Sequence, residues 1–181
     1  MPADKHSPEN ANRRLGKGMI IAAWVLALGL LTLFFNGVLE RQYNPNQQLS
    51  AVATLDEPHE VVLVRNKYGH YVATGEINDE AVVFLLDTGA TDVAIPDALA
   101  RRLNLKRGAQ FIANTANGQV KSWRTRLERV NLGGIELANV RASILPSMEG
   151  EEVLLGMSFL KQLELVQRGE TLTIRRAGQN R

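Results

Sequence analysis

Residues 81–90 read AVVFLLDTGA: six apolar residues, Ala81 to Leu86, run into the carboxylate of Asp87 and then Thr88, Gly89 and Ala90. An unbroken apolar run of this length suits a strand covered on both faces, and the residues that follow it are turn formers, so the strand is expected to end at Asp87. A carboxylate at the end of such a run is expensive to desolvate unless it is hydrogen-bonded, paired or used. Two readings fit. In one, Asp87 accepts backbone N–H bonds and closes a turn. In the other, it is half of a carboxylate pair that shares one proton and activates a water. Asp-Thr-Gly occurs once in the chain, so the second reading requires the other aspartate to come from a second copy.

Strand signals dominate the sequence around this motif. Val61 to Val64 is apolar, and the runs 70–77 and 81–86 flank the turn formers Asn78-Asp79, which predicts a hairpin. Val93 to Ile95 makes a short apolar stretch. Pro96-Asp97 then opens a helix over 98–103, with Leu99 and Leu103 one turn apart and Asp97 expected to cap it. Asn117-Gly118 separates the runs 111–116 and 119–124, and Gly133-Gly134 separates 130–132 from 135–140, giving two more hairpins. A strand over 153–156, a short helix over 158–163 and a last strand over 171–174 complete the pattern. Many short strands with little helix point to a small all-β barrel or sandwich.

The 181 residues include 45% hydrophobic and 22% charged residues, a globular balance. A net charge of +2 gives no argument for nucleic acid as a partner. There is no cysteine, which excludes thiol catalysis, thiolate metal sites and disulfides. The histidines His6, His59 and His70 lack ligand spacing, so neither metal nor cofactor is expected. Gly156-Met157-Ser158 lacks the second glycine of a nucleophile elbow. Arg101, Arg102, Lys106 and Arg107 form a basic cluster, read as a solvated helix face rather than a lipid patch, and Glu149, Glu151 and Glu152 as a polar loop.

Residues 19–39 carry no charge, and about 20 such residues span a bilayer core. The stretch exceeds the apolar region of a signal peptide, and no small-x-small site follows closely, so an uncleaved transmembrane helix is expected. Lys5, Arg13, Arg14 and Lys17 precede it and only Arg41 follows closely. That bias places the N-terminus in the cytoplasm and the rest outside, periplasmic for an inner-membrane protein. The expected organisation is a tail (1–18), the span (19–39), a stalk rich in Asn, Gln and Pro (40–59), a globular domain (60–176) and a short tail (177–181).

Taken with the later Leu154-Leu155-Gly156, the Asp87-Thr88-Gly89-Ala90 motif and the turn at Asn117-Gly118 resemble the retroviral-type aspartic proteases (retropepsins), and especially their membrane-anchored bacterial branch. The resemblance covers roughly residues 68–175. It implies a small closed acid-protease barrel with one or two short helices, working as a homodimer on polypeptide substrates. By the same resemblance Asp87 is the catalytic carboxylate, Thr88 bonds across the dimer axis, Gly89 brings its N–H to the carboxylate and Ala90 leaves room for substrate. Residues 111–124 are the flap, with Asn117 and Gly118 at its tip and Trp123 either packing it down or lining a subsite. Leu154, Leu155 and Gly156 back the active-site loop. The chain departs from the viral pattern where a second aspartate pairs with an arginine: those places hold Thr91 and Met157, although Asp92 is adjacent. A non-catalytic periplasmic binding or assembly module of the same fold is the alternative.

Overall fold

The barrel closes because one long strand serves two neighbours. The computed structural model describes residues 8–49, 60–115 and 118–176, in two units divided after Glu40. The first unit holds most of α1 (Pro8–Tyr43). Over 17–43 this helix is long and apolar enough to cross a membrane, and apolar side chains such as Trp24, Leu26, Leu33 and Phe34 are exposed along it.

The second unit contains β1 (Glu60–Val64), β2 (Val72–Ile77), β3 (Glu80–Leu86), β4 (Val93–Pro96), α2 (Asp97–Arg102), β5 (Gln110–Thr115), β6 (Gly118–Leu132), β7 (Ile135–Leu145), β8 (Glu152–Leu155), α3 (Met157–Leu160), β9 (Leu163–Arg168) and β10 (Thr171–Arg176). The larger sheet runs β2-β3-β8-β4-β7-β6-β5, and β6 also pairs with β2 through Glu76↔Asn131 and Ile77↔Val130. Six strands thus form a closed barrel, and β5 hangs off β6 as the free arm of a hairpin. A smaller sheet, β1-β10-β9, joins the two ends of the domain sequence. The expected all-β barrel with short helices, preceded by an apolar helix, is the observed architecture.

Phe84, Ile95, Leu127, Leu132, Ile135, Ile144, Leu155 and Phe159 are fully buried and fill the interior. The seam of the barrel needs a residue without a side chain. A Cβ at Gly75 would lie 2.4 Å from the Asn131 carbonyl oxygen and 2.7 Å from the Phe84 ring, so β6 and the core phenylalanine both use the space that glycine leaves. The turn between β2 and β3 is made by Asn78 (φ 51°) and Asp79 (φ 69°), residue types that tolerate the left-handed region.

Four local expectations need correction. The runs 119–124 and 130–132 are one 15-residue strand, β6. Burial alternates at Thr125 and Leu127, then resumes one step out of phase at Val130 and Leu132, opposite Asn139 at φ 56°; that phase slip hides the continuity from a period-two reading. The helix expected over 158–163 is the single turn α3, and Leu163 begins β9 instead. Phe159, Leu160 and Leu163 mimic a helical stripe. Asp97 caps nothing: Pro96 precedes α2, and Asp97 pairs with Arg101 at 2.9 Å and with Arg107. The stretch 40–59 is not featureless over its first ten residues either. Asn46 is buried and its side chain donates to the carbonyls of Val64 (2.9 Å) and Val72 (2.7 Å) and accepts from Val64 N–H (2.8 Å), so one amide links β1 to β2. Residues 50–59 and 177–181 lie outside the described residues.

Gly75→Ala is expected to cost about 1–3 kcal/mol, the range for forcing volume into a packed interior. Chemical denaturation of the wild type and the variant measures it; unchanged midpoints would show that the seam tolerates a methyl group.

Candidate active site

Asp87 stands where β3 ends, and its place is fixed by β8. The two strands run parallel, with Leu85↔Leu154 and Leu86↔Leu155 in register, and Asp87 N–H donates to the Leu155 carbonyl at 3.2 Å. The chain turns beyond it. Gly89 N–H donates to Asp87 Oδ1 at 2.8 Å, and Ala90 N–H to the Asp87 carbonyl at 3.3 Å. An N–H directed at a carboxylate oxygen fixes its rotamer.

The residues after β8 clamp the far side of this loop. Met157 N–H donates to the Ala90 carbonyl at 2.8 Å and Ser158 N–H to the Thr91 carbonyl at 2.9 Å. Such close approach excludes a side chain at position 156, where a Cβ would meet the Asp92 carbonyl oxygen at 2.3 Å and that of Ala90 at 2.7 Å. Buried Ser158 accepts from Val93 N–H at 3.0 Å and donates to the Arg141 carbonyl at 2.7 Å, tying the start of β4 to β7.

Asp87 opens on a cavity of about 790 Å³. Gly89, Ala90 and Leu154 line it together with Phe111 to Thr115 of β5, so the aspartate and the free hairpin arm share one cavity. Leu155 is buried beneath the loop. Thr88 is exposed, and its hydroxyl has no partner among the described residues. Gly118 lies at the hairpin end with φ 105°, whereas Asn117 falls outside the described residues. Trp123 is half-buried beside the core and does not line the cavity; the Arg107 guanidinium stacks over its ring at 4.4 Å, and Arg107 in turn pairs with Asp97. The hairpin base is thereby packed against α2.

No cation pairs with Asp87 among the described residues. The other carboxylate lining its cavity, Asp92, faces Arg141 of β7 at 3.3 Å. That separation makes an ion pair, yet Asp92 Oδ1 is buried without an aligned hydrogen bond, so the attraction is mainly coulombic. Arg141 escaped the sequence reading because nothing local marks it; only the β4–β7 pairing brings it beside Asp92. The basic cluster is largely committed to structure, since Arg101 and Arg107 pair with Asp97 and Arg102 with Glu151 at 2.8 Å. Among the described residues no group of three His, Cys, Asp or Glu converges on a point that would hold a metal, and His70 is exposed.

Residues 73–162 match the family model described as "gag-polyprotein putative aspartyl protease". The uncharacterized protein in the cobV 5′ region of a Sinorhizobium species is 29% identical over an alignment of 169 positions, covering 87% of this chain and 72% of that protein. The uncharacterized protein RP867 of Rickettsia prowazekii is 26% identical over an alignment of 154 positions, covering 80% of this chain and 64% of that protein. Among solved structures, a retropepsin-like aspartic protease from Rickettsia conorii superposes with a TM-score of 0.53 at 26% identity, covering 66% of this chain and 92% of that one.

Ser158→Ala is expected to leave Val93 N–H and the Arg141 carbonyl without their side-chain partner. The loss is about 1–3 kcal/mol of unfolding free energy, the desolvation penalty of orphaned buried groups, and thermal or urea melts read it directly. A loss below about 0.5 kcal/mol, the low end for one hydrogen bond, would show that the clamp does not need the hydroxyl.

Proposed function

Because this chain belongs to the retropepsin-like aspartic proteases, we propose that it is an endopeptidase whose active unit is a homodimer with one Asp87 from each copy. The observation that carries the proposal is the placement of Asp87. It is oriented by Gly89 N–H, has no cationic partner in its own chain among the described residues, and opens on a cavity that a hairpin arm also lines.

Two such carboxylates brought within about 3 Å cannot both ionise easily, and the pair retains one proton. The ionised member takes a proton from a water as its oxygen attacks the peptide carbonyl carbon. The protonated member gives its proton to the carbonyl oxygen, forming a tetrahedral diol. The carboxyl protonated in the first step then gives its proton to the nitrogen as the C–N bond breaks, and one hydroxyl proton returns to the other carboxylate, restoring the shared proton. In this reading the free Thr88 hydroxyl bonds to the partner copy, Gly89 and Ala90 admit the substrate backbone, and Gly118 belongs to the closing flap tip with Asn117. Trp123 holds the base of the flap, and Leu154, Leu155 and Gly156 hold the loop. The helix over 19–39 anchors the chain in the inner membrane with the domain on the periplasmic side. Two copies confined to one membrane meet at a higher effective concentration than two in solution.

Asp87→Asn is expected to lower peptide cleavage by about 10²–10⁴-fold, the range for losing a general acid–base, with an unchanged circular-dichroism melt. Wild-type turnover in that variant would sink the proposal. The half-site reading is tested separately by dilution: activity per molecule in detergent is expected to fall with concentration, and a value constant down to the nanomolar range argues for a complete site in one chain. The pH–rate profile is expected to peak in the acidic to near-neutral range, because both the deprotonated and doubly protonated pairs are inactive.

A further inference from the structure

Beside the cleft lies a second cavity, of about 540 Å³, and Asp92, Arg124 and Arg141 line both. Its wall also carries Lys106, Arg107 and Arg126, against Glu128 as a further carboxylate. The cations differ in how they are satisfied. Arg107 is committed to Asp97 and to the Trp123 ring, and Arg141 to Asp92. Arg126 donates to the neutral Asn139 amide oxygen at 2.9 Å, which leaves its charge uncompensated. The Arg124 guanidinium lies over the Phe111 ring, at 4.8 Å, and has no anionic partner among the described residues.

The strand register sharpens this. Arg126 stands directly opposite Arg141 across β6 and β7, and Arg124 opposite Ser143. Arg124, Arg126 and Arg141 are exposed on the outer face. Like charges in directly opposed positions are destabilising, so Arg126 gains no compensation from its cross-strand neighbour, whose own charge Asp92 takes. Phe111 belongs to the hairpin arm that lines the main cavity, and stacking on it holds the Arg124 guanidinium at the junction of the two cavities. A planar guanidinium fork without an anion matches a carboxylate.

Resting on the endopeptidase reading, we propose that Arg124, with Arg126 and Arg141 behind it, forms an anion-selecting subsite, and that favoured substrates carry Asp or Glu a few residues from the scissile bond. An extended peptide advances about 3.3 Å per residue with side chains on alternate faces. A chain lying in the main cavity therefore presents one such side chain at the mouth of the second cavity, where Arg124 stands.

The test uses the full chain in phosphatidylcholine nanodiscs with a randomised decapeptide library, and mass spectrometry reads the residues enriched around cleaved bonds. Matched peptides with Glu or Gln at the most enriched position then give a ratio of kcat/KM. The expected ratio is about fivefold, the upper range for one exposed charge pair, falling towards one in Arg124→Gln and in high salt. A ratio of one in the wild type, or one that Arg124→Gln leaves unaltered, overturns the proposal. A binding arm separates this failure from failure of the peptidase reading. The same library is enriched on the immobilised Asp87→Asn chain, and Glu and Gln versions of the captured peptides are compared by fluorescence anisotropy. A preference for Glu that disappears in the Asp87→Asn, Arg124→Gln double variant supports the subsite even if the wild type cleaves nothing. Equal binding overturns it. So does binding to phosphatidylglycerol vesicles that depends on Arg124 and is accompanied by no peptide preference, which would assign the patch to lipid headgroups.

Discussion

Two backbone hydrogen bonds, from Met157 to Ala90 and from Ser158 to Thr91, hold the loop that carries Asp87 against the end of β8. They join two segments almost seventy residues apart, and nearly everything about the site depends on them. Parallel pairing of β3 with β8 brings the two strand ends together, and the missing side chain at Gly156 lets them touch. The hydroxyl of Ser158 extends the same junction to β4 and β7. A reactive carboxylate needs a position fixed to a fraction of an ångström. Here backbone hydrogen bonds supply much of that rigidity, and the Ser158 hydroxyl extends it.

The barrel and its hairpins were legible because their signals are local. The apolar run before Asp87, the Asn78-Asp79 turn and the Gly133-Gly134 turn each announce themselves within ten residues. What the sequence hid was non-local or ambiguous. Arg141 becomes a neighbour of Asp92 only through the register of β4 on β7. Phe159, Leu160 and Leu163 satisfy a helical spacing even though the chain has already turned into β9. Asn46 sits in a run whose composition reads as linker, and only its three side-chain hydrogen bonds reveal it as part of the domain. Asp87 itself stood out, yet its surroundings did not: Gly89 and the Leu154-Leu155-Gly156 segment could be named, while the serine that completes the clamp could not.

Charge is distributed unevenly around the site. On the α2 side each arginine has a carboxylate: Asp97 takes two and Glu151 one. On the β6–β7 face the arginines outnumber their anions. The contrast argues against reading the second group as ordinary solvated surface, because the same chain compensates its cations around α2. The overall net charge of +2 conceals this arrangement completely.

The length of β6 has one more consequence. A single strand carries the returning arm of the hairpin, then Trp123 and the two arginines at 124 and 126, and finally Val130 and Asn131, which close the barrel on β2. The hairpin, the arginine face and the barrel seam are therefore covalently continuous, with the phase slip near Glu128 between the arginines and the seam. A bound chain that touched both the hairpin arm and the arginine face would link the two contacts thermodynamically, each strengthening the other by the same factor. Selectivity and closure would then be one event, read out by one strand.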